Sequence, residues 1–332
     1  MEYHRTGRVG AGAWLRKNET EETVTMSNVK IGIGFGQWKY GLPEPRALCE
    51  YAELGEAVGV DSIWLSDHIV TRNPTLDITC LFAMIAARTR HIKMGPSVLT
   101  LPARSPVQVA KTYATLDYIS EGRMIMAVGS GSDVRDLQAC GIPPQERGKR
   151  LDEGITILRK LWTESHVTHH GQFYHFDDVT IEPKPRKGSL DIWIGGKSDA
   201  ILKRVVRLGD GWFPALTSPD EFKRDMAKLM AFGEEYGRPM DPREAGVLLM
   251  TYVSDDREAA WRAVAPFLQG LPMAPEDIAA RCIVGTPDEC VEKLERFVEA
   301  GCVKFVLRPA CPLAEIIPQI EMYGRGILPH FA

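Results

Sequence analysis

The sequence predicts a (β/α)8 TIM barrel, and three observations lead to this fold class. From residue 30 onward, short apolar segments typical of buried parallel strands alternate with longer segments of helical spacing. The alternation yields eight strands, the number at which a parallel sheet with helical crossovers closes into a barrel. The chain has 332 residues, and such barrels run to about 250 residues and more as one unit. We therefore expect a single barrel domain over residues 27–332.

The predicted strands are short, apolar and bounded by glycine, proline or polar residues, as expected for strands buried on both faces. They span residues 31–35, 62–65, 92–99, 123–128, 191–194, 211–213, 247–253 and 303–307.

The predicted helices follow from apolar residues at three- and four-residue spacing, as with Leu48, Tyr51, Ala52 and Gly55 in the first of them. They span residues 43–58, 78–88, 106–119, 147–162, 200–207, 219–236, 256–268, 275–281, 287–300 and 313–324. Between the fourth helix and the fifth strand, residues 166–176 and 177–185 alternate in polarity and are rich in turn residues. This pattern predicts a hairpin inserted outside the repeat.

An open doubly wound sheet is the alternative fold. It would require a glycine-rich turn that opens the first helix, with an acidic residue about 20 positions later. The glycines at 32, 34 and 36 lie mostly within the first strand and do not open a helix. The barrel is therefore favoured.

Composition excludes several classes of function. The formal net charge is −4, whereas a nucleic-acid partner would require a basic surface. The sequence contains no apolar run of about 18 residues that would span a membrane. The seven cysteines lack CxxC spacing, which predicts reduced, buried thiols in a cytoplasmic protein and no metal site. Residues 1–26 are rich in charge and predict a disordered leader.

In a barrel, chemistry takes place at the carboxyl ends of the strands. That rule selects Trp38, Ser66, Asp67, His68, Ser97, Thr100, Ser130, Gly131, Ser132, Asp133, Gly195, Gly196, Lys197 and Arg308. Asp67 and His68 follow the second strand, and an adjacent carboxylate and imidazole can orient each other for acid–base work. The alternative is a capping aspartate beside a structural histidine.

Two glycine-rich loops also end strands, at residues 128–133 and 194–198. Small residues let the backbone approach a ligand closely, and exposed N–H groups bind anions. The second loop leads into a helix N-terminus, which suits a phosphate with Lys197 assisting. Either loop could instead be a tight turn.

Five segments, in order along the chain, closely resemble the luciferase-like monooxygenases and their deazaflavin-dependent relatives. They are IKMGPSVLTLPARSPVQVAKTYATLDYISEGRMIMAVGSGS (residues 92–132), RGKRLDEGITILRKLW (147–162), IWIGGKS (192–198), LGDGW (208–212) and VGTPDECVEKLERFVEAGC (284–302). The sequence SDH at residues 66–68 and SVLT at 97–100 resemble the branch that uses coenzyme F420. That branch includes methylenetetrahydromethanopterin reductase and a sugar-phosphate dehydrogenase.

This resemblance implies a barrel of the bacterial luciferase-like type with inserted segments, a homodimer and a small-molecule substrate. It implies a cis peptide between Ser97 and Val98 that supports the deazaflavin ring. Asp67 and Thr100 would contact that ring, and His68 would act near the face where hydride is transferred. The tail of the cofactor would lie along Ser130, Gly131, Gly195 and Gly196.

The sequence departs from the sugar-phosphate dehydrogenases at two positions. Ser132 stands where they have a glutamate that acts as an acid, and Arg72 where they have a tryptophan. These departures argue against a sugar-phosphate substrate. Asp133 and Asp136 are the candidates to replace the lost carboxylate.

Three functions are compatible with this resemblance. The first is a coenzyme F420-dependent oxidoreductase acting on a carbonyl, alcohol, imine or activated alkene. The second is an FMN-dependent monooxygenase, in which reduced flavin reacts with oxygen. The third is a cofactor-binding protein without catalytic activity, against which the retained Asp67 and His68 argue.

Overall fold

Parallel strands enclosed by helices make up most of the structure. The computed structural model describes residues 29–36, 38–39, 41–70, 73–269 and 273–331. The strands are β1 (Lys30–Phe35), β2 (Ser62–Leu65), β3 (Lys93–Pro96), β4 (Leu99–Thr100), β5 (Met126–Gly129), β6 (Val167–His170), β7 (His175–Val179), β8 (Ile192–Gly195), β9 (Gly211–Phe213), β10 (Gly246–Val253), β11 (Cys282–Gly285) and β12 (Lys304–Pro309).

The helices lie between strands, except the last, which follows β12; parallel strands need such crossover connections. They are α1 (Pro45–Ala57), α2 (Ile78–Arg88), α3 (Pro106–Ile119), α4 (Val134–Ala139), α5 (Arg147–Thr163), α6 (Asp199–Leu208), α7 (Pro219–Glu235), α8 (Arg257–Leu268), α9 (Pro275–Ala280), α10 (Pro287–Glu299) and α11 (Ile316–Gly326). Helices α7 and α10 begin at capping boxes, formed by Ser218 with Glu221 and by Thr286 with Glu289. These pairs satisfy amide groups that the first turn leaves without helical partners.

The strands form two parallel sheets, in the orders β11-β10-β12-β1-β2-β3 and β4-β5-β8-β9. The first strand pairs with the last, because β1 and β12 share a parallel ladder. Isolated parallel bridges join the two sheets, from Met94 to Met124 on one side and from Trp212 to Ala245 on the other. This cyclic order confirms the predicted fold class, although the sheet hydrogen bonding is interrupted at both junctions.

The side chains of the strands alternate between two apolar layers, as strand geometry requires. Trp64, Trp193, Phe213, Leu248 and Val306 pack together inside the ring. Their neighbours along the strands pack outward against the helices in the main core. The alternation therefore determines which side chains near the strand ends can face the mouth of the barrel.

Four details differ from the sequence-based expectations. The strand predicted at 92–99 is two strands, β3 and β4, separated at the cis peptide between Ser97 and Val98. Strand β11 was not predicted, and it pairs with the carboxyl half of β10. Helix α4 was also not predicted. The inserted hairpin is confirmed as the antiparallel pair β6 and β7, but its second strand begins earlier than expected, at His175.

The cysteines are free thiols, as predicted, but they are not uniformly buried. Cys282, Cys290, Cys302 and Cys311 are buried, whereas Cys80 and Cys140 are exposed. The exposed pair lie on or next to amphipathic helices, where the apolar neighbours of a residue do not determine its own face.

None of the helices in the described part of the chain combines the length and apolar character that crossing a lipid bilayer requires. The predicted leader over residues 1–26 and the departure at Arg72 both lie outside the described residues.

Candidate active site

A cleft of about 1230 Å³, open to solvent, lies at the carboxyl ends of the barrel strands. The structure brings all the predicted catalytic and cofactor-binding residues to this cleft. Its lining includes Asp67, His68, Ser97, Val98, Thr100, Ser130, Gly131, Gly195, Gly196 and Lys197. The residues come from the carboxyl ends of β4 and β8 and from the loops after β2, β3, β5 and β8, as expected for a site at the mouth of a barrel.

Asp67 is buried, and each of its two carboxylate oxygens accepts a hydrogen bond from a neighbouring group. Its Oδ1 accepts a hydrogen bond from Arg104 at 2.8 Å, and its Oδ2 accepts one from the Thr100 amide at 2.9 Å. Burial raises the pKa of the Asp67 carboxyl, and the Arg104 guanidinium and the Thr100 amide act in the opposite direction. The side chain thus ties the end of β2 to the turn that follows β4.

The predicted pairing of Asp67 with His68 is wrong. The His68 imidazole instead lies with Nδ1 3.0 Å from Oδ2 of Asp136, at the start of α4. The other oxygen of Asp136 accepts hydrogen bonds from the amides of Ile69 and Val70, at 2.8 and 2.6 Å. Successive side chains of an extended segment point in opposite directions, so adjacent residues such as Asp67 and His68 rarely face each other.

The His68–Asp136 pair is well placed to hold an imidazole in one orientation. The Asp136 side chain is 1% exposed and that of His68 is 19% exposed. A carboxylate held by two amides is a hydrogen-bond acceptor, so the proton shared with His68 belongs on Nδ1. Nε2 forms no hydrogen bond with the residues that the structure describes. It is therefore the nitrogen available to a ligand in the cleft.

Of the two aspartates considered as replacements for a carboxylate at position 132, only Asp136 lines the cleft. Asp133 caps α4 and forms an ion pair with Arg135. The Arg135 hydrogen bonds lower the pKa of Asp133 to about 2. Asp133 is thus ionised at neutral pH and has no proton to donate.

The cis peptide bond between Ser97 and Val98 is present, as the resemblance implied. The Val98 side chain lies over two glycines at neighbouring strand ends. A Cβ atom at Gly129 would lie 2.6 Å from Val98 Cγ2, and one at Gly195 would lie 3.0 Å from Cγ1. These two glycines therefore make room for Val98 at the floor of the cleft.

The two glycine-rich loops are held by neighbouring groups. Gly131 has φ +83°, and a Cβ atom there would lie 2.8 Å from Thr100 Cγ2. The Gly196 carbonyl accepts a hydrogen bond from the Trp212 indole at 2.7 Å. Lys197 donates to the Leu216 carbonyl at 2.6 Å, so its amine lies towards the loop after β9. Both loops therefore expose backbone to the cleft.

The polar groups of the cleft suit a ligand with oxygen atoms and negative charge. The Ser97 hydroxyl is buried and has no hydrogen-bond partner among the described residues. Arg147, Lys197 and Arg308 line the cleft as cations. The lining carboxylates, Asp67 and Asp136, are already occupied by internal hydrogen bonds. A phosphate-bearing ring cofactor fits this combination of glycine loops, cations and an unpaired hydroxyl.

Sequence reasoning did not assign two of the residues that shape the cleft. Arg147 begins α5, and its position in the resembling segment at residues 147–162 is a signal that could have found it. Asp136 was considered only as a replacement acid, and its contact with His68 joins residues 68 positions apart. No local pattern predicts a contact over that separation.

Residues 26–280 match the model of the family described as luciferase-like monooxygenase. The F420-dependent glucose-6-phosphate dehydrogenase of Amycolatopsis mediterranei is 34% identical over 308 residues, which cover 82% of this chain and 90% of the relative. The 5,10-methylenetetrahydromethanopterin reductase of Archaeoglobus fulgidus is 26% identical over 320 residues, covering 84% of this chain and 94% of the relative.

Among solved structures, the monooxygenase RslO1 from Streptomyces bottropensis superposes with a TM-score of 0.80 at 22% sequence identity. The superposition covers 91% of this chain and 100% of the other. At this level of identity the likeness concerns the fold.

Proposed function

The chain belongs to the luciferase-like monooxygenase family, a family of oxidoreductases, and we propose that it is a coenzyme F420-dependent member that transfers hydride. The substrate would be a small organic molecule with a carbonyl, alcohol, imine or activated alkene. The main support for the proposal is that all the residues expected to contact the deazaflavin or to act in hydride transfer line one cleft.

The cis segment at Ser97–Val98 and the Thr100 region would support the ring. The loops at Ser130–Gly131 and Gly195–Lys197 would hold the phosphate-bearing tail, because their exposed backbone and nearby cations favour an anion. The similarity to the F420-dependent glucose-6-phosphate dehydrogenase of Amycolatopsis mediterranei supports the choice of cofactor. When bound, the deazaflavin supplies a carbon that accepts or donates hydride and lacks the nitrogen that makes flavins react with oxygen.

The protein itself orients the reacting groups and supplies the group that exchanges a proton with the substrate. Asp136 holds the His68 imidazole through Nδ1, which leaves Nε2 to exchange a proton with the substrate oxygen or nitrogen as hydride moves. Asp67 is a positioning residue in this proposal, because both of its oxygens hold the β4 turn.

An FMN-dependent monooxygenase is the second candidate, because the family whose model matches residues 26–280 is described as luciferase-like monooxygenase. The two candidates differ in their use of oxygen. A monooxygenase consumes oxygen for each substrate molecule, whereas a deazaflavin enzyme transfers hydride in its absence.

The test is an anaerobic assay of the full-length protein with reduced F420 and a panel of aldehydes, ketones, imines and activated alkenes. Oxidised F420 with secondary alcohols and glucose 6-phosphate forms the reverse arm. We expect at least one compound to change the redox state of F420 without oxygen. Substrate-dependent oxygen uptake with reduced FMN, together with no anaerobic turnover of F420, would contradict the proposal.

A further inference from the structure

A second cavity of about 250 Å³ lies inside the barrel at the amino ends of the strands, opposite the cleft. We call it the axial cavity. Trp64, Trp193 and Phe213 form its inner wall, and Phe213 also lines the cleft. A water molecule needs about 10–15 Å³ of such space. The axial cavity therefore has room for a small ion together with several waters.

Four polar side chains face the axial cavity from neighbouring strands, in the order β12, β1, β2 and β3. They are Lys304, Lys30, Ser62 and Lys93. The residues two positions after Lys304 and Ser62 pack inside the ring, so these two side chains also face inward. Lys30 is the ladder partner of Lys304, and Lys93 is the ladder partner of Ser62. All four side chains therefore share the inward face.

The three lysines bring like charges together. Lys30 and Lys304 lie directly opposite each other in the ladder between β1 and β12, and like charges in that position destabilise a sheet. Lys304 pairs with Glu244 at 2.7 Å, and Lys93 pairs with Asp61 at 3.2 Å. In the described parts of the chain, the Lys30 ammonium forms neither an ion pair nor a hydrogen bond. The row therefore contains one cation whose charge no carboxylate balances.

The charged groups around the axial cavity carry a positive excess. The cations are Lys30, Lys93, Arg123, Lys187 and Lys304, and the carboxylates are Asp61, Asp191 and Glu244. Arg123 donates to backbone carbonyl groups, among them those of Ala86 and Ile92, and forms no ion pair with the described residues. Carbonyl groups hold the guanidinium but do not neutralise it. Five cations against three carboxylates leave two positive charges among the described lining residues, which complements a dianion.

Ser62 supplies a buried donor within the row of lysines. The residue is 5% exposed, and its hydroxyl oxygen accepts a hydrogen bond from the Trp64 indole at 2.9 Å. A hydroxyl can donate as well as accept, and the Ser62 proton has no acceptor among the residues that the structure describes. A Cβ atom at Gly32 would lie 2.5 Å from this oxygen. The glycine therefore leaves open space beside the hydroxyl, where a ligand oxygen would accept its proton.

From this arrangement we propose that the axial cavity binds a phosphate dianion, either free or as the phosphate group of a small ester. The Ser62 hydroxyl and the ammonium groups of Lys30, Lys93 and Lys304 would donate to its oxygens. Each ammonium group has three donors, so the two lysines that pair with carboxylates retain donors for a ligand. A phosphate group is a dianion above its second pKa of about 6, and it would relieve the repulsion between the opposed lysines. This site is separate from the proposed function and does not rest on it.

The experiment measures anion binding to the full-length protein by calorimetry, at pH 8 and a constant low ionic strength, without F420. The probes are inorganic phosphate, methyl phosphate and acetate. We expect at least one of the two phosphates to bind at least about tenfold more tightly than acetate. Tighter binding of inorganic phosphate would identify the free ion as the preferred ligand, and tighter binding of methyl phosphate would identify an ester.

Lys30→Met should weaken phosphate binding at least about fivefold, because it removes the lysine that has no partner. Lys197→Met is the matched control, since it makes the same substitution at an exposed lysine of the cleft, at the other end of the barrel. Any phosphate bound in the cleft would respond to Lys197→Met, whereas the axial site should survive it. Without phosphate, Lys30→Met should melt at or above the temperature of the wild type, because it relieves the repulsion from Lys304.

Equal binding of phosphate and acetate by the wild type would overturn the inference, as would phosphate binding that Lys30→Met leaves intact. Equal weakening in Lys30→Met and Lys197→Met would indicate attraction by net charge alone, and it would also overturn the site. Loss of binding in Lys197→Met alone would place the phosphate in the cleft instead. A separate titration with F420 reports on the proposed function, so failure of one is distinguishable from failure of the other.

Discussion

Replacement of His68 by alanine is expected to lower kcat by about 10²–10⁴-fold, the usual contribution of a general acid or base. The expectation follows from the position of the imidazole. Its Nδ1 is fixed 3.0 Å from the buried Asp136 carboxylate, and its other nitrogen is left for the cleft. The affinity for F420 should change by less than about threefold, because ring and phosphate contacts come from other loops. Stopped-flow reduction or oxidation of F420 with the substrate found in the panel assay measures the rate.

Two further variants separate catalysis from structure. His68→Asn keeps a donor near the position of Nδ1, and so preserves the hydrogen bond to Asp136, but it cannot relay a proton. It should lose as much activity as His68→Ala while retaining the thermal stability of the wild type. His91→Ala, at an exposed position, should leave both unchanged. A folded His68→Asn protein with nearly normal turnover and an unchanged pH profile would show that His68 is structural.

Gly131→Ala is expected to raise the Kd for F420 at least about tenfold, equivalent to about 1.4 kcal/mol. The backbone at Gly131 has φ +83°, and a methyl group there would lie 2.8 Å from Thr100 Cγ2. The loop must therefore shift at the place where the cofactor tail is proposed to bind. Fluorescence titration of the variant with F420 measures the effect.

Gly188 provides a matched control for the strain of a positive φ. Its φ is +82°, and a Cβ atom at this position would contact nothing within 4 Å. Gly188→Ala should therefore share the backbone cost of about 1–2 kcal/mol but leave the Kd for F420 unchanged. If both variants weakened binding equally, the effect at Gly131 would be one of stability rather than of the site.

Much of the barrel could be predicted because its strands are buried on both faces. Runs such as residues 63–65 and 192–194 are apolar throughout, and the polar residues and glycines that flank them mark where each strand ends. Strand β11 was missed because Cys282–Gly285 comes one residue after a short helix and, among the described residues, pairs with the carboxyl half of β10 alone. How far the carboxyl half of β10 extends depends on the tertiary structure, and the local sequence of residues 282–285 does not reveal it.

The candidate site could be located from sequence, but its pairings could not. The rule that chemistry lies at the strand ends selected Asp67, His68 and Arg308 correctly as residues at the barrel mouth. Adjacency along the chain then suggested a pair of Asp67 with His68, whereas each has a partner from a later element. Such pairings depend on how loops after different strands meet, which periodicity does not encode.

We propose that the cleft at the barrel mouth is a deazaflavin site. The most direct measurement is a parallel titration of the purified full-length protein with coenzyme F420 and with FMN, followed by fluorescence and by thermal unfolding. We expect F420 to bind at least about tenfold more tightly than FMN and to raise the melting temperature. We also expect this difference to disappear in Gly131→Ala. Tighter binding of FMN, or no binding of either cofactor, would contradict it.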